Sequence, residues 1–290
     1  MVCLLLHNNQ TGLNFSTTMS PEPRDAVSNY YNKMKGGRVY FTEPGLSDEQ
    51  AKELWLDDST LPSGLNLKEY REACRALKGS LLRQEIYALD GSDKESLPYI
   101  VTERNYAVQC LQRCADTKNE HAVFLANPHE ELTYNYERTL VPTINNKIVP
   151  PEDISGVQWK MDPRISHSIN LEVDAFGNVL KSVAIVYGRR FEDLQLPSSS
   201  DWNEQTKKHI VYIENRFTNF IDDAVNRRNP VLCETKTYEL TGYSSAGSAG
   251  RFIASDFIQG STFLFDSDLE YHQASTIGRE RRLLEHIRTL

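Results

Sequence analysis

The sequence is poor in the features that most readily announce a function. Cysteine is scarce and odd in number: Cys3, Cys74, Cys110, Cys114 and Cys233 in 290 residues. That density excludes a disulfide framework. Cys110 and Cys114 have three residues between them, but no second Cys or His pair follows at metal-binding spacing. They read as free thiols on one strand or helix rather than zinc ligands. No apolar run approaches the ~20 residues of a membrane-spanning helix, so membrane insertion by this chain is not expected. The start, residues 1–6, is apolar but has no basic flank, no full apolar core and no cleavage site. It is expected to be a strand cut short, not a signal peptide.

A surplus of positive charge is missing too. The net charge is −8, which argues against a nucleic-acid partner. The basic clusters are short: Lys207-Lys208, Arg227-Arg228, and Arg279 with Arg281-Arg282. They read as solvated charges on strand or helix faces. Gly242, Gly247 and Gly250 surround Ser244-Ser245-Ala246 without the Lys-Ser/Thr ending of a phosphate loop, and this stretch is expected to be a flexible turn. No nucleophile elbow occurs.

What is present describes a folded, strand-rich protein. Hydrophobic residues make up 39% and charged residues 25%, within the globular range. Tyrosine is abundant at 14, and aromatics favour half-buried pleated surfaces. The length allows one large or two modest domains. Residues 7–37 are polar and read as loop, with Gly36-Gly37 ahead of a short strand at 38–42. Ser47 to Gln50 can cap a short helix over 51–55. Leu67, Tyr70, Cys74 and Leu77 recur at helical spacing, and Gly79 is placed to end that second helix.

From residue 80 onward the pattern is strand after strand: 82–90 running into Asp90-Gly91, then 99–106, 121–125 and 131–137. A hairpin is expected from 169–174 through Gly177-Asn178 into 179–187, followed by strands at 210–217, 233–240 and 262–265. Helical periods interrupt only at 254–257 and at the end, 281–287. The expected fold is mainly β: an extended, meandering antiparallel sheet with a few short helices, mostly near the N-terminus.

Three phrases go beyond composition. The first is Arg75-Ala-Leu-Lys-Gly-Ser-Leu-Leu-Arg-Gln-Glu-Ile-Tyr-Ala-Leu-Asp-Gly91. The second is Asp162-Pro-Arg-Ile-Ser-His-Ser-Ile-Asn-Leu-Glu-Val-Asp-Ala-Phe-Gly-Asn-Val-Leu-Lys181, running on to Tyr187-Gly-Arg-Arg190. The third is Tyr212-Ile-Glu-Asn-Arg-Phe-Thr218 with Tyr238-Glu-Leu-Thr-Gly-Tyr243. Together they resemble the middle/C-terminal region of the TcdB-like B component of Tc insecticidal toxin complexes, in the SpvB/TcdB and Rhs-related group. The resemblance covers about 67–290 and leaves 1–66 as a separate, partly looped segment.

That resemblance implies a structural role. In the family, B and C components build a hollow β-sheet shell around a toxic segment of the C component, and the B component docks on an A-component pore. The stretch here is expected to be shell wall that encapsulates or chaperones a toxic partner segment. Its implied partners are other segments of the complex, including C- and A-component proteins. It is expected to be secreted or extracellular within a complex, without a recognisable signal peptide, and otherwise cytoplasmic. B components are several times longer, so a fragment or split copy is expected.

No catalytic, cofactor or metal residue is assigned, and the chain is expected not to be an enzyme. His121, His129 and His167 match no zinc spacing. Asp162-Pro163-Arg164 reads as a proline-pinned turn. Glu130-Glu131, or Glu172 with Asp174 on one strand face, could supply the facing acids of a glycosidase, though many exposed strands show this pattern. A stand-alone β-rich binding module is the alternative to the shell segment.

Overall fold

The computed structural model describes residues 2–8, 40–88, 90–114, 120–150 and 155–289. The looped stretch expected at 7–37 lies almost wholly outside them, as do Gly36, Gly37 and positions 38–39 of the expected strand. Its described part, 40–42, is not a strand.

The N-terminal strand is β1 (Val2–Asn8). Two helices follow: α1 (Asp48–Glu53) and α2 (Leu67–Ala76). Both open on a reciprocal cap, Ser47 with Gln50 and Asn66 with Glu69, which satisfies backbone N–H groups the helix cannot. Helix α2 buries Ala73 and, just past its end, Leu77 against Val108; Leu67 faces solvent. Gly79 has φ +87 just beyond the helix, a conformation that costs any residue with a Cβ.

The long strands are β2 (Leu81–Ala88), β3 (Ile100–Gln112), β4 (Val123–Asn135), β8 (Arg164–Val173), β9 (Val179–Val186), β11 (His209–Phe217), β14 (Leu232–Thr241) and β18 (Glu280–Arg288). Together with β1 and the short β17 (Ser267–Leu269) they form a ten-stranded sheet in the order β1-β2-β3-β4-β8-β9-β11-β14-β18-β17. All neighbours run antiparallel except β17 beside β18, so the meander ends on one parallel pair.

Excursions leave this meander. Between β4 and β8, β5 (Leu140–Ile144), β6 (Lys147–Ile148) and β7 (Gln158–Met161) join β10 (Glu192–Asp193) in a second, four-stranded sheet. Helix α3 (Ser199–Thr206) precedes β11, and β12 (Ile221–Asp222) with β13 (Arg227–Arg228) extends the β11–β14 turn. β15 (Ile258–Gln259) and β16 (Thr262–Phe263) lie within the segment that closes over the sheet.

One face of the large sheet is covered. Tyr212, Phe252 and Phe257 are fully buried there, with Ile169, Val183 and Ile185 beneath them. Burying each such side chain contributes roughly 1.5–3 kcal/mol. A second cluster joins Leu56, Val101, Leu132 and Tyr134 to Met161 of the small sheet. The other face carries Ser166, Ser168 and Ala184, all exposed. The alternation that the pleat imposes thus separates a packed face from an open one.

Three strand expectations need correction. The breaks expected between 121–125 and 131–137 do not exist: β4 runs through both. Asn127-Pro128-His129 forms a bulge, where Tyr106 pairs with Pro128 and Asn105 with Glu130, leaving His129 as the extra residue. A bulge is where proline is tolerated inside a sheet. The C-terminal stretch 281–287 is strand β18, because pairing with β14 overrides its helical spacing. The strand expected at 262–265 is only Thr262–Phe263. Residues 254–256 do form a short 3-10 turn.

Candidate functional site

A polar seam crosses the covered face. It begins with Arg83 on β2, whose guanidinium bonds to Glu85 at 2.6 Å and pairs with Glu103 of β3. These carboxylates also hold the segment 40–57 down by its backbone. Phe41 N–H donates to Glu85 at 3.0 Å, and Leu56 N–H to Glu103 at 2.7 Å. Glu43 accepts from Tyr136 at 2.9 Å and pairs with Arg190 at 2.6 Å. Burial works against the charge on Arg83, but Glu103 and Glu85 outweigh it and leave its pKa raised. The space among these groups is a small, partly open pocket of about 20 Å³, little more than one water. Here the seam clamps the segment 40–57 to the sheet.

It continues through Asn105, whose amide donates to the Asp57 carbonyl at 3.1 Å and to Glu130 at 3.2 Å. Glu130 lies 3.0 Å from His167 Nε2, and His167 Nδ1 lies 3.1 Å from the Tyr187 hydroxyl. The Glu130 carboxylate can only accept, so the neutral imidazole donates from Nε2 and its Nδ1 accepts the Tyr187 hydroxyl proton, while that hydroxyl accepts the Phe252 N–H at 3.0 Å. Burial lowers the His167 pKa, against Glu130, so the ring is held neutral. Burial also raises Glu130, but His167 and Asn105 overcome it, and its pKa is lowered overall. Burial pushes Tyr187 up to about 12. A Glu-His-Tyr row of this kind could relay a proton, but the His167 side chain has no exposure and its hydroxyl partner is already occupied. Its role is to tie β4, β8 and the end of β9 to the covering segment.

The other candidates fall apart in space. His121 binds Glu72 at 2.6 Å, and His129 binds the Asn170 carbonyl at 3.1 Å. No group of three or more metal-binding side chains forms among the described residues. Glu131 pairs with Arg104 at 2.8 Å on the open face, away from Glu130. Glu172 pairs with Lys181 at 2.6 Å, while Asp174 is the anchor of the hairpin turn and accepts from Phe176 and Asn178 backbone N–H. Glu172 and Asp174 therefore do not face each other on a strand. Asp162 accepts the Arg190 N–H at 2.9 Å, and burial raises its carboxyl. Cys74, Cys110, Cys114 and Cys233 are free. Ser244, Ser245 and Ala246 belong to an irregular stretch bounded by Gly242, whose φ is +78 and whose Cα would have no room for a Cβ against the Gly278 carbonyl.

Beyond the aromatic core, the covered face ends in charge. One cross-strand row runs Glu172, Lys181, Glu214, Lys236, His286 over β8, β9, β11, β14 and β18. The next row is Arg216, Glu234, Arg288. Arg288, His286 and Arg216 reach Glu234 at 2.8, 2.6 and 3.2 Å and hold its carboxyl down to about 2. A cavity of about 180 Å³ opens among Glu214, Arg216, Glu234 and Lys236. These rows follow from strand register alone.

The family model for the insecticide toxin TcdB middle/C-terminal region matches residues 72–160 and 157–228. No curated protein matches. Among solved structures, a TcdB2–TccC3 complex is 25% identical with a TM-score of 0.47, over 64% of this chain and 8% of that one. A Tc holotoxin pore from Photorhabdus luminescens is 22% identical with a TM-score of 0.50, over 78% and 10%. The latter likeness is one of fold. The chain spans about 8–10% of the length of these similar chains.

Proposed function

The chain belongs to the insecticide toxin TcdB middle/C-terminal region family, and from that membership we propose that it is a non-catalytic wall segment of a toxin-complex B component, helping to enclose a toxic partner segment. The observation that carries this reading is the ten-stranded sheet itself: among the described residues one face is covered, the other is open, and part of the β18 edge is unpaired. Residues 283–288 of β18 pair with β14 on one side, and β17 reaches only 280–282 on the other. A sheet with an open face and an open edge suits an element built into a larger sheet. The polar seam from Arg83 to Tyr187 fastens the covering segments to the sheet, which accords with scaffold rather than catalyst.

The structures that the chain resembles are a TcdB2–TccC3 complex and a Tc holotoxin pore. The proposed partners are accordingly C-component proteins and further B-component segments, with an A-component pore as the eventual docking target. The proposed setting is a secreted complex. The fragment or split-copy reading belongs to the same proposal.

Co-expression with a C-component protein, followed by affinity capture and limited proteolysis, tests this. Association, with the C-component's C-terminal segment shielded from protease, is expected. A compact, protease-resistant monomer that ignores the C component would instead favour a stand-alone β-rich binding module.

A further inference from the structure

We propose that the β12–β13 arm is a proteolytic processing site, where an endopeptidase specific for basic residues cleaves after Arg228 or Arg227 and leaves the ten-stranded sheet assembled. Three observations carry it. Of the three short basic clusters in the sequence, this one alone is uncommitted among the described residues. Lys208 lies over the Phe252 ring, Arg281 pairs with Asp268 at 2.6 Å, and the Arg282 guanidinium bonds to the Glu270 and Tyr271 carbonyls. The side chains of Arg227 and Arg228 make no hydrogen bond or ion pair with any described residue. A free guanidinium beside the scissile bond is what the pocket carboxylate of such an endopeptidase binds.

Next, the backbone here opens at little cost. Every residue from 219 to 229 is exposed, and Val225 is 89% exposed. The arm is zipped by two strand pairs, Ile221 with Arg228 and Asp222 with Arg227, and Asp223 holds its turn by accepting the Val225 and Asn226 N–H. Pro230 has no N–H with which to continue the ladder toward β14. Straightening residues 225–231 for a protease therefore breaks few bonds and uncovers no core side chain. Finally, the flanking strands are secured without the arm. Each has a strand neighbour on both sides, β11 lying between β9 and β14, and β14 between β11 and β18. Hydrolysis adds water across the Arg228–Asn229 bond: the carbonyl carbon takes the hydroxyl and the Asn229 nitrogen takes the proton. Residues 1–228 and 229–290 then stay together through the sheet. This site stands independently of the wall reading.

The test is digestion of the full chain with a trace of trypsin under native conditions. Fragments are identified by intact mass and N-terminal sequencing, then passed over a size-exclusion column. The first cut is expected after Arg227 or Arg228, giving two fragments that co-elute at the parent's volume with the parent's circular dichroism spectrum. Arg227→Gln combined with Arg228→Gln is expected to abolish that cut and leave the urea unfolding midpoint where it was. Arg227→Lys combined with Arg228→Lys is expected to keep the cut, because the pocket accepts either cation. The proposal is overturned if the first cut falls outside the arm, if the glutamine variant is cut there as fast as the parent, if the lysine variant resists, or if the two fragments separate.

Discussion

His167 and Glu130 lie on adjacent strands, 37 residues apart in sequence, with imidazole Nε2 and carboxylate 3.0 Å apart beneath the covering segment. Burial of His167, which outweighs the opposing pull of Glu130, makes stability pH-dependent. The His167 pKa is lowered in the folded state, so the unfolded chain binds more protons as pH drops through the ordinary histidine value near 6.5. The lowered Glu130 pKa has the same sign: its contribution is present above the unfolded value of 4.5 and is lost as pH falls through the folded one. Urea unfolding is expected to give a lower midpoint at pH 5.5 than at pH 7.5, and the difference should shrink in His167→Ala. A midpoint unchanged over that interval would contradict a neutral, buried His167.

Tyr187→Phe removes the hydroxyl that links His167 to the covering segment. The Phe252 N–H, which donates to that hydroxyl, is then left without its acceptor. A loss of about 1–3 kcal/mol is expected, the cost of an unsatisfied buried group. Hydrogen exchange at Phe252 should quicken more than exchange at Tyr212, in the centre of the sheet.

How much of this could be read from the sequence depended on how local the cause was. The caps at Ser47 and Asn66, the hairpin at Gly177-Asn178 and the sheet-rich character follow from residues within a few positions of one another. The failures were non-local. The strands expected at 121–125 and 131–137 are one strand, because the bulge at Pro128 that joins them is defined by Asn105 and Tyr106 on β3. Leu283, Leu284 and Ile287 have helical spacing, yet pairing with β14 made them strand. Helix α3 escaped notice because it buries no residue and so shows no apolar stripe. The His167–Glu130 contact and the charge rows depend on register, which no single segment encodes.

Arg83→Met tests the clamp at the start of the seam. Arg83 is buried between Glu85 and Glu103, and its removal leaves two buried carboxylates without their cation. Breaking a buried pair in this way costs about 3–5 kcal/mol. Protease cleavage within residues 40–57 is expected to accelerate, because Phe41 and Leu56 are held by those same carboxylates. Equal cleavage rates in parent and variant would mean that the apolar contacts of Leu56 suffice.

Phe252→Ala should reveal how strongly the cover is bonded to the sheet. The ring is fully buried against Tyr187 and Phe257. A loss of about 3–5 kcal/mol is expected in denaturant unfolding, because the removed ring leaves a cavity that its neighbours fill only in part.

The vacant edge of β18 leads to the last prediction. Among the described residues, 283–288 have no strand partner on the side away from β14, and Leu284 and Ile287 are 45% and 52% exposed there. Unpaired strand groups flanked by apolar side chains favour edge-to-edge association. The isolated chain is therefore expected to self-associate as its concentration rises. Lysine is the residue that natural edge strands use against such pairing, since bringing two edges together would bury or crowd its charge. Ile287→Lys, combined with Leu284→Lys, should shift light-scattering mass toward the monomer without lowering the unfolding free energy by more than about 0.5 kcal/mol per substitution, the usual range for exposed positions. If the double variant associates as strongly as the parent, self-association runs through another surface, and the open face of the sheet becomes the next place to substitute.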